Sequence, residues 1–140
     1  MPESIQLQYA VPGDDFTRAG EASGAVKRAL KQLGLPPDII RRVSIAMYEA
    51  EINMVIHANG GVASVTIFPD KIDLCLVDKG PGILDIELAM REGYSTAPDN
   101  IRSLGFGAGM GLPNIKKYTD EMKIESEVSK GTTVFMSIHL

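Results

Sequence analysis

At 140 residues, with 44% hydrophobic content and no tryptophan, the chain reads as one domain (1–140) whose core must be aliphatic. The 14 basic against 18 acidic residues leave a net charge of −4, which excludes the basic footprint of a nucleic-acid binder and a purely electrostatic hold on a membrane. One cysteine excludes a disulfide framework or a cysteine metal cluster, and with no leader-like start and no long apolar run a cytoplasmic location is expected.

In chain order, Ser4 to Val11 alternates as a strand and Pro12-Gly13-Asp14-Asp15 breaks it. Asp14 or Asp15 is expected to cap a helix from about Phe16 to Leu33, with Gly34 as its C-terminal cap. Asp38 is expected to cap a second helix, Ile39 to His57, after the connector Leu35-Pro36-Pro37. Asn59-Gly60-Gly61 reads as a turn. Val62 to Phe68 and Lys71 to Val77 read as strands around a Pro69-Asp70 hairpin, with Cys75 as a small buried hydrophobe.

Leu84 to Arg91 reads as a short helix, and Glu92 to Leu104, rich in small and polar residues without a period, as a mobile loop over a site. Leu112 to Asp120 is a helix. Met122 to Ser129 and Thr132 to Leu140 are strands around Lys130-Gly131. The order β-α-α-β-β-α-loop-α-β-β predicts an α+β two-layer sandwich, helices on one face of a mixed sheet.

The second helix carries the chemistry. Residues four apart share a helix face, so Glu49, Asn53 and His57 line up and Glu51 does not. A carboxylate and a carboxamide on a mostly apolar helix need polar partners, since each costs about 1–3 kcal/mol to bury unpaired. A lone helix Glu is ordinarily solvated or ion-paired, and a lone buried Asn ordinarily bonds to backbone. The sharper reading makes Glu49 a general base and Asn53 a magnesium ligand through its side-chain oxygen. His57 is read as a histidine favoured by the helix C-terminal dipole, with a supporting role at the site as the lesser alternative.

Two glycine stretches complete the pattern. Asp78-Lys79-Gly80-Pro81-Gly82 follows an apolar strand. Asp78 is either an ordinary turn Asp or a carboxylate that accepts from the exocyclic amine of adenine, with Gly80 and Gly82 letting backbone approach the base. Gly105, Gly107, Gly109 and Gly111 precede a helix, and their backbone N–H groups suit a phosphate cradle. Their spacing is neither the dinucleotide fingerprint nor a P-loop. Thr132 or Thr133, after Gly131, offers a hydroxyl near the base.

Glu49-x-x-x-Asn53, Asp78-x-Gly80-x-Gly82, Gly105-x-Gly107-x-Gly109-x-Gly111 and Gly131-Thr132-Thr133 resemble, in that order, the nucleotide-binding boxes of the GHKL (Bergerat-fold) ATPases and kinases. The match spans about residues 40 to 135. Short length and the Glu-Ala-x-x-Asn-x-x-x-His helix look like the anti-sigma-factor serine/threonine kinases, and Glu92-Gly93-Tyr94-Ser95-Thr96 with Leu112-Pro113 looks like their stressosome switch-kinase branch. The resemblance implies ATP and Mg²⁺ as cofactors, with Glu49 as base, Asn53 on the metal and Asp78 on adenine. Gly80, Gly82, Gly105, Gly107, Gly109, Met110, Gly111, Leu112, Thr132 and Thr133 then contact the nucleotide.

It also implies an anti-anti-sigma (STAS-domain) protein as phosphoacceptor, with a sigma factor and a second copy of the chain as further candidate partners. Two alternatives stand beside this reading. One is a nucleotide-dependent binding switch with little turnover. The other is a detached histidine-kinase catalytic domain, which the lack of a Phe-rich box between the glycine stretches disfavours.

Overall fold

In the computed structural model the described residues are 4–12, 20–57, 60–80 and 111–140. They form β1 (Ile5–Pro12), α1 (Glu21–Gln32), α2 (Pro37–His57), β2 (Gly60–Ile67), β3 (Lys71–Asp78), α3 (Gly111–Tyr118), β4 (Glu121–Glu127) and β5 (Gly131–His139). The short helix expected over Leu84–Arg91, the loop over Glu92–Leu104 and the caps Asp14 and Asp15 lie outside the described residues.

The α+β class holds, and the helices cover one face of a single five-stranded sheet of order β1-β2-β3-β5-β4. The sheet is not mixed: each of its neighbouring pairs is antiparallel. Helix parity supplies the reason for the first pair. A single crossover helix would return the chain parallel, whereas α1 and α2, joined by a short connector, reverse it twice and set β2 against β1 in the opposite sense. The β2–β3 turn closes where expected, Phe68 N–H donating to the Lys71 carbonyl at 2.8 Å across Pro69-Asp70.

Strand alternation decides what faces the helices. Val65 and Ile67, Ile72, Leu74 and Leu76, and Val134, Met136 and Ile138 point inward and are buried against Val26, Leu30, Val43, Met47, Val55 and Ile115. The same alternation turns Cys75 to the other face, where it is half-buried, so it is not the core residue expected from its apolar neighbours. Val62, Val77 and Phe135 are exposed on that outer face.

Helix ends are set by local chemistry. Gly34, at φ +74°, closes α1 as expected, with Leu35 N–H bonding to the Leu30 carbonyl and Gly34 N–H to that of Lys31. The start of α1 differs from expectation. Gly20, at φ +93°, is in the left-handed region and stands as N-cap, so a helix running unbroken from Phe16 is excluded. Asp38 does not cap α2 either. Proline fits the first helical position, and Pro37 takes it; the Pro36 carbonyl accepts from Ile40 N–H, and Asp38 falls in the first turn. The β4–β5 turn runs over Val128–Lys130, with Ser129 at φ +69°, so β4 ends two residues before the expected Ser129 and Gly131 belongs to β5.

Candidate functional site

α2 lies between α1, α3 and the sheet, so it is apolar on several sides: Ile40, Val43, Met47, Ala50, Ile52, Met54 and Val55 are all buried. Two carboxylates interrupt it. Glu51 is 1% exposed. Its Oε2 accepts from Gly20 N–H at 3.0 Å and Ala22 N–H at 3.2 Å, and its Oε1 from Ser23 N–H at 2.9 Å. Those N–H groups belong to the start of α1, where a helix lacks internal acceptors and carries positive partial charge. Glu51 thus caps α1 from 28 to 31 residues away. Periodicity did place it off the Glu49 face. Nothing in the sequence marks which distant backbone it meets.

Glu49 is half-buried. Burial pushes its carboxyl above the ordinary carboxylate range, and a hydrogen bond from the Asn114 side chain opposes part of that shift. Asn114 stands in the first turns of α3 and was not singled out from the sequence. The one available signal was a poor helix former placed inside a helix, directly after the glycine stretch. α3 is held against α2 by the fully buried Ile115 and, at its far end, by Arg42 Nε donating to the Tyr118 carbonyl at 3.2 Å.

Asn53 is one turn beyond Glu49 on the same face, half-buried between the buried Ile52 and Met54. No hydrogen bond from another described residue reaches its side chain. His57 closes α2, and its side chain lies outside the described residues.

Asp78 ends β3 at the edge of the sheet where β2 and β5 begin. Its Oδ1 accepts from Gly80 N–H at 2.9 Å, an Asx turn, and from Thr132 N–H at 3.1 Å. The turn role and a binding role are therefore compatible: both hydrogen bonds fall on Oδ1, and Oδ2 takes none from the described residues. Glycines crowd this carboxylate from both sides. A Cβ on Gly61 of β2 would strike the Val77 carbonyl and the Met54 side chain, and one on Gly131 of β5 would strike the Asp78 carbonyl, with Gly131 also at φ +130°. Gly61 is thus a strand residue opposite Asp78 rather than the turn expected of Asn59-Gly60-Gly61. Close backbone approach, not a change of direction, requires glycine there.

The two threonines separate. Thr132 is on the helix side, nearly buried, its hydroxyl 2.8 Å from Ser126 Oγ. Thr133 pairs with Val77 on the outer face, so the structure does not bring it together with the rest. Gly82, Gly105, Gly107, Gly109 and Met110 lie outside the described residues. Gly111 opens α3, and Leu112 follows it in the first turn.

This arrangement suits a nucleotide with magnesium. The Asn53 carboxamide is a hard oxygen donor with no hydrogen-bond partner among the described residues, and magnesium usually takes few protein ligands, with phosphates and water completing the shell. Among the described residues no cluster of three or more His, Cys, Asp or Glu could hold a metal alone. No helix among them is long and apolar enough to cross a membrane.

Comparison with known proteins shows the family. The family model described as "Histidine kinase-like ATPase domain" matches residues 14–138. The chain is 36% identical to the Anti-sigma F factor of Geobacillus kaustophilus (strain HTA426), over 100% of this chain and 94% of that protein. It is 37% identical to the Anti-sigma F factor of Geobacillus stearothermophilus, over 97% and 92%. It is 36% identical to that of Clostridium acetobutylicum, over 97% and 93%. Among solved structures, the mycobacterial sensor histidine kinase MprB aligns with a TM-score of 0.55 at 16% identity, covering 96% of this chain and 97% of that one, a likeness of fold alone. Glu49, Asn53 and Asp78 all fall inside the matched span, and the chain belongs to the histidine kinase-like ATPase domain family.

Proposed function

We propose that this protein binds ATP with Mg²⁺ and transfers the γ-phosphoryl group to a serine or threonine hydroxyl of a STAS-domain (anti-anti-sigma) protein, as an anti-sigma regulatory factor. The observation that carries this is Glu49: a carboxylate held half-buried with a raised pKa, on one helix face with the Asn53 carboxamide, which has no hydrogen-bond partner among the described residues. A raised pKa brings a carboxylate closer to working pH, which suits a general base. Full-length relatives named Anti-sigma F factor support the regulatory part of the reading.

Asn53 is the residue that would hold magnesium. When bound, the ion would offset the negative charge of the phosphates. Asp78 Oδ2 accepts from the amine of adenine, while its Oδ1 is kept in place by Gly80 and Thr132. The family resemblance assigns Gly80, Gly82, Gly105, Gly107, Gly109, Met110, Gly111, Leu112 and Thr132 to nucleotide contacts, the alternating glycines to the phosphates. The acceptor hydroxyl oxygen attacks the γ-phosphorus, the bond to the β–γ bridging oxygen breaks, ADP leaves, and the hydroxyl proton passes to Glu49.

The direct test is to recover the proteins that co-purify with this chain from its native cell, then incubate them with γ-labelled ATP and map the phosphosites. Label on a serine or threonine of a STAS-domain protein is expected. Nucleotide binding with no transfer to any co-purified protein would replace the kinase reading with a binding switch, and a sigma factor or a second copy among the recovered proteins would then define what is switched.

A further inference from the structure

We infer that Ser126 is a positioning residue that fixes the direction of the Thr132 hydroxyl, and through it favours a purine with an amine over one with a carbonyl at the same ring position; this rests on the reading that sets the base against Asp78 and Thr132. Thr132 is the neighbour of Asp78 across β3 and β5, its N–H donating to Asp78 Oδ1 at 3.1 Å. Strand alternation turns both side chains to the helix side, as it does Leu76 and Val134. Ser126 is the cross-strand partner of Thr132 on β4.

Two hydrogen bonds set the direction. A serine hydroxyl has a single hydrogen to give. Ser126 Oγ donates to the Gly131 carbonyl at 3.2 Å, and a carbonyl only accepts. The 2.8 Å contact between Ser126 Oγ and Thr132 Oγ1 is therefore made with the hydrogen of Thr132. Gly131 is held in turn, since its backbone packs against the Asp78 carbonyl too closely for a Cβ. With its hydrogen committed to Ser126, Thr132 Oγ1 offers the site lone pairs alone. Asp78 Oδ2, which takes no hydrogen bond from the described residues, offers the same. Two acceptors on neighbouring strands complement an amine, which has two hydrogens, and both oppose a carbonyl oxygen. A hydroxyl left to rotate would donate to the carbonyl as readily as it accepts from the amine. Ser126 turns an adaptable group into a selective one.

The test compares Mg-ADP with the Mg complex of inosine diphosphate, whose base has a carbonyl where adenine has its amine, by calorimetry on the full chain. Wild type should bind Mg-ADP about 10–100-fold more tightly, the scale of a buried polar mismatch. Ser126→Ala should narrow that ratio about 3–10-fold, the scale of one hydrogen bond, chiefly by tightening the inosine nucleotide. Ser126→Thr, which keeps a hydroxyl on a residue suited to a strand, should restore the ratio. In a Thr132→Val background Ser126→Ala should leave the ratio unchanged, because the group it positions is gone.

A wild-type ratio in Ser126→Ala would overturn the inference, whether both affinities are kept or both fall together as a purely structural loss would make them. So would a ratio that Ser126→Thr fails to restore, or one that narrows equally without the Thr132 hydroxyl. A wild type that binds the two nucleotides equally, or neither, would remove the underlying placement of the base and the inference with it. That failure is visible without any change at Ser126.

Discussion

Glu49 and Glu51 sit two residues apart on one helix and meet opposite fates. Glu51 is the more deeply buried, and its carboxylate accepts from three backbone N–H groups. Glu49 is less buried, yet burial pushes its carboxyl up, and its one described side-chain donor, Asn114, offsets only part of that. Burial depth therefore does not by itself decide how a carboxylate is held; the supply of donors does. Asp78 is divided within one side chain: Oδ1 is satisfied by backbone N–H groups as Glu51 is, and Oδ2 takes no hydrogen bond from the described residues.

The strongest way to break this comparison is Glu49→Gln. The change keeps size and hydrogen bonding but removes the proton acceptor, so phosphotransfer should fall about 10²–10⁴-fold. Mg-ATP binding, followed by calorimetry, should survive, since Asn53 and not Glu49 is assigned to the metal. Asn53→Ala should show the complementary pattern, with binding and transfer lost together. Full transfer by Glu49→Gln to the natural acceptor would place Glu49 in the same structural class as Glu51.

Glu51→Ala should act on stability instead. It leaves the first N–H groups of α1 without their acceptor in a buried place, and hydrogen bonds to charged groups contribute about 1.5–3 kcal/mol. A loss of about 2–3 kcal/mol is expected from the urea midpoint at unchanged slope. A variant as stable as wild type would mean that water or another group caps α1 equally well.

Asp78→Asn sharpens the comparison, because it can be resolved oxygen by oxygen. The carboxamide oxygen can still accept from Gly80 and Thr132, so the fold should hold. The amide then faces the amine of adenine with donors, and ATP binding should weaken by about 1–3 kcal/mol. Wild type should also show a larger thermal shift with Mg-ATP than with Mg-GTP, since guanine presents a carbonyl where adenine presents its amine. Equal shifts for the two nucleotides would take Asp78 out of the recognition role.

The smallest expected effect is on the empty protein. Because burial raises the folded pKa of Glu49 above its unfolded value, the native state holds the proton more tightly. The resulting penalty is absent below the unfolded pKa and appears as pH rises through the folded one. Glu49→Gln, free of that charge, should therefore be slightly more stable than wild type at neutral pH, with the gap closing on acidification into the carboxylate range. A gap that ignores pH in urea unfolding would trace to packing rather than to charge.

How these regions were legible differs residue by residue. Glu49 and Asn53 could be placed on one face from sequence alone, because 3.6-residue periodicity is a local property of the helix. Gly34 could be read as a cap and Pro69-Asp70 as a turn for the same local reason: both depend on backbone angles available to those residues and on nothing distant. The two-layer α+β class followed from the order of elements. Sheet order, the antiparallel sense throughout and the split of Thr132 from Thr133 by face did not, since they depend on which strands pair and in what register.

The same boundary runs through the site. Sequence fixed the residue types and the intervals between them, enough to recognise Glu49, Asn53 and Asp78 as a set. Only the tertiary structure decided that Glu51 caps α1, that Asn114 meets Glu49, and that Gly61 and Gly131 are glycines because the backbone around Asp78 leaves no room for a Cβ. Each of these is a contact between segments far apart in the chain. The energy of such a contact depends on packing geometry, which no single segment encodes.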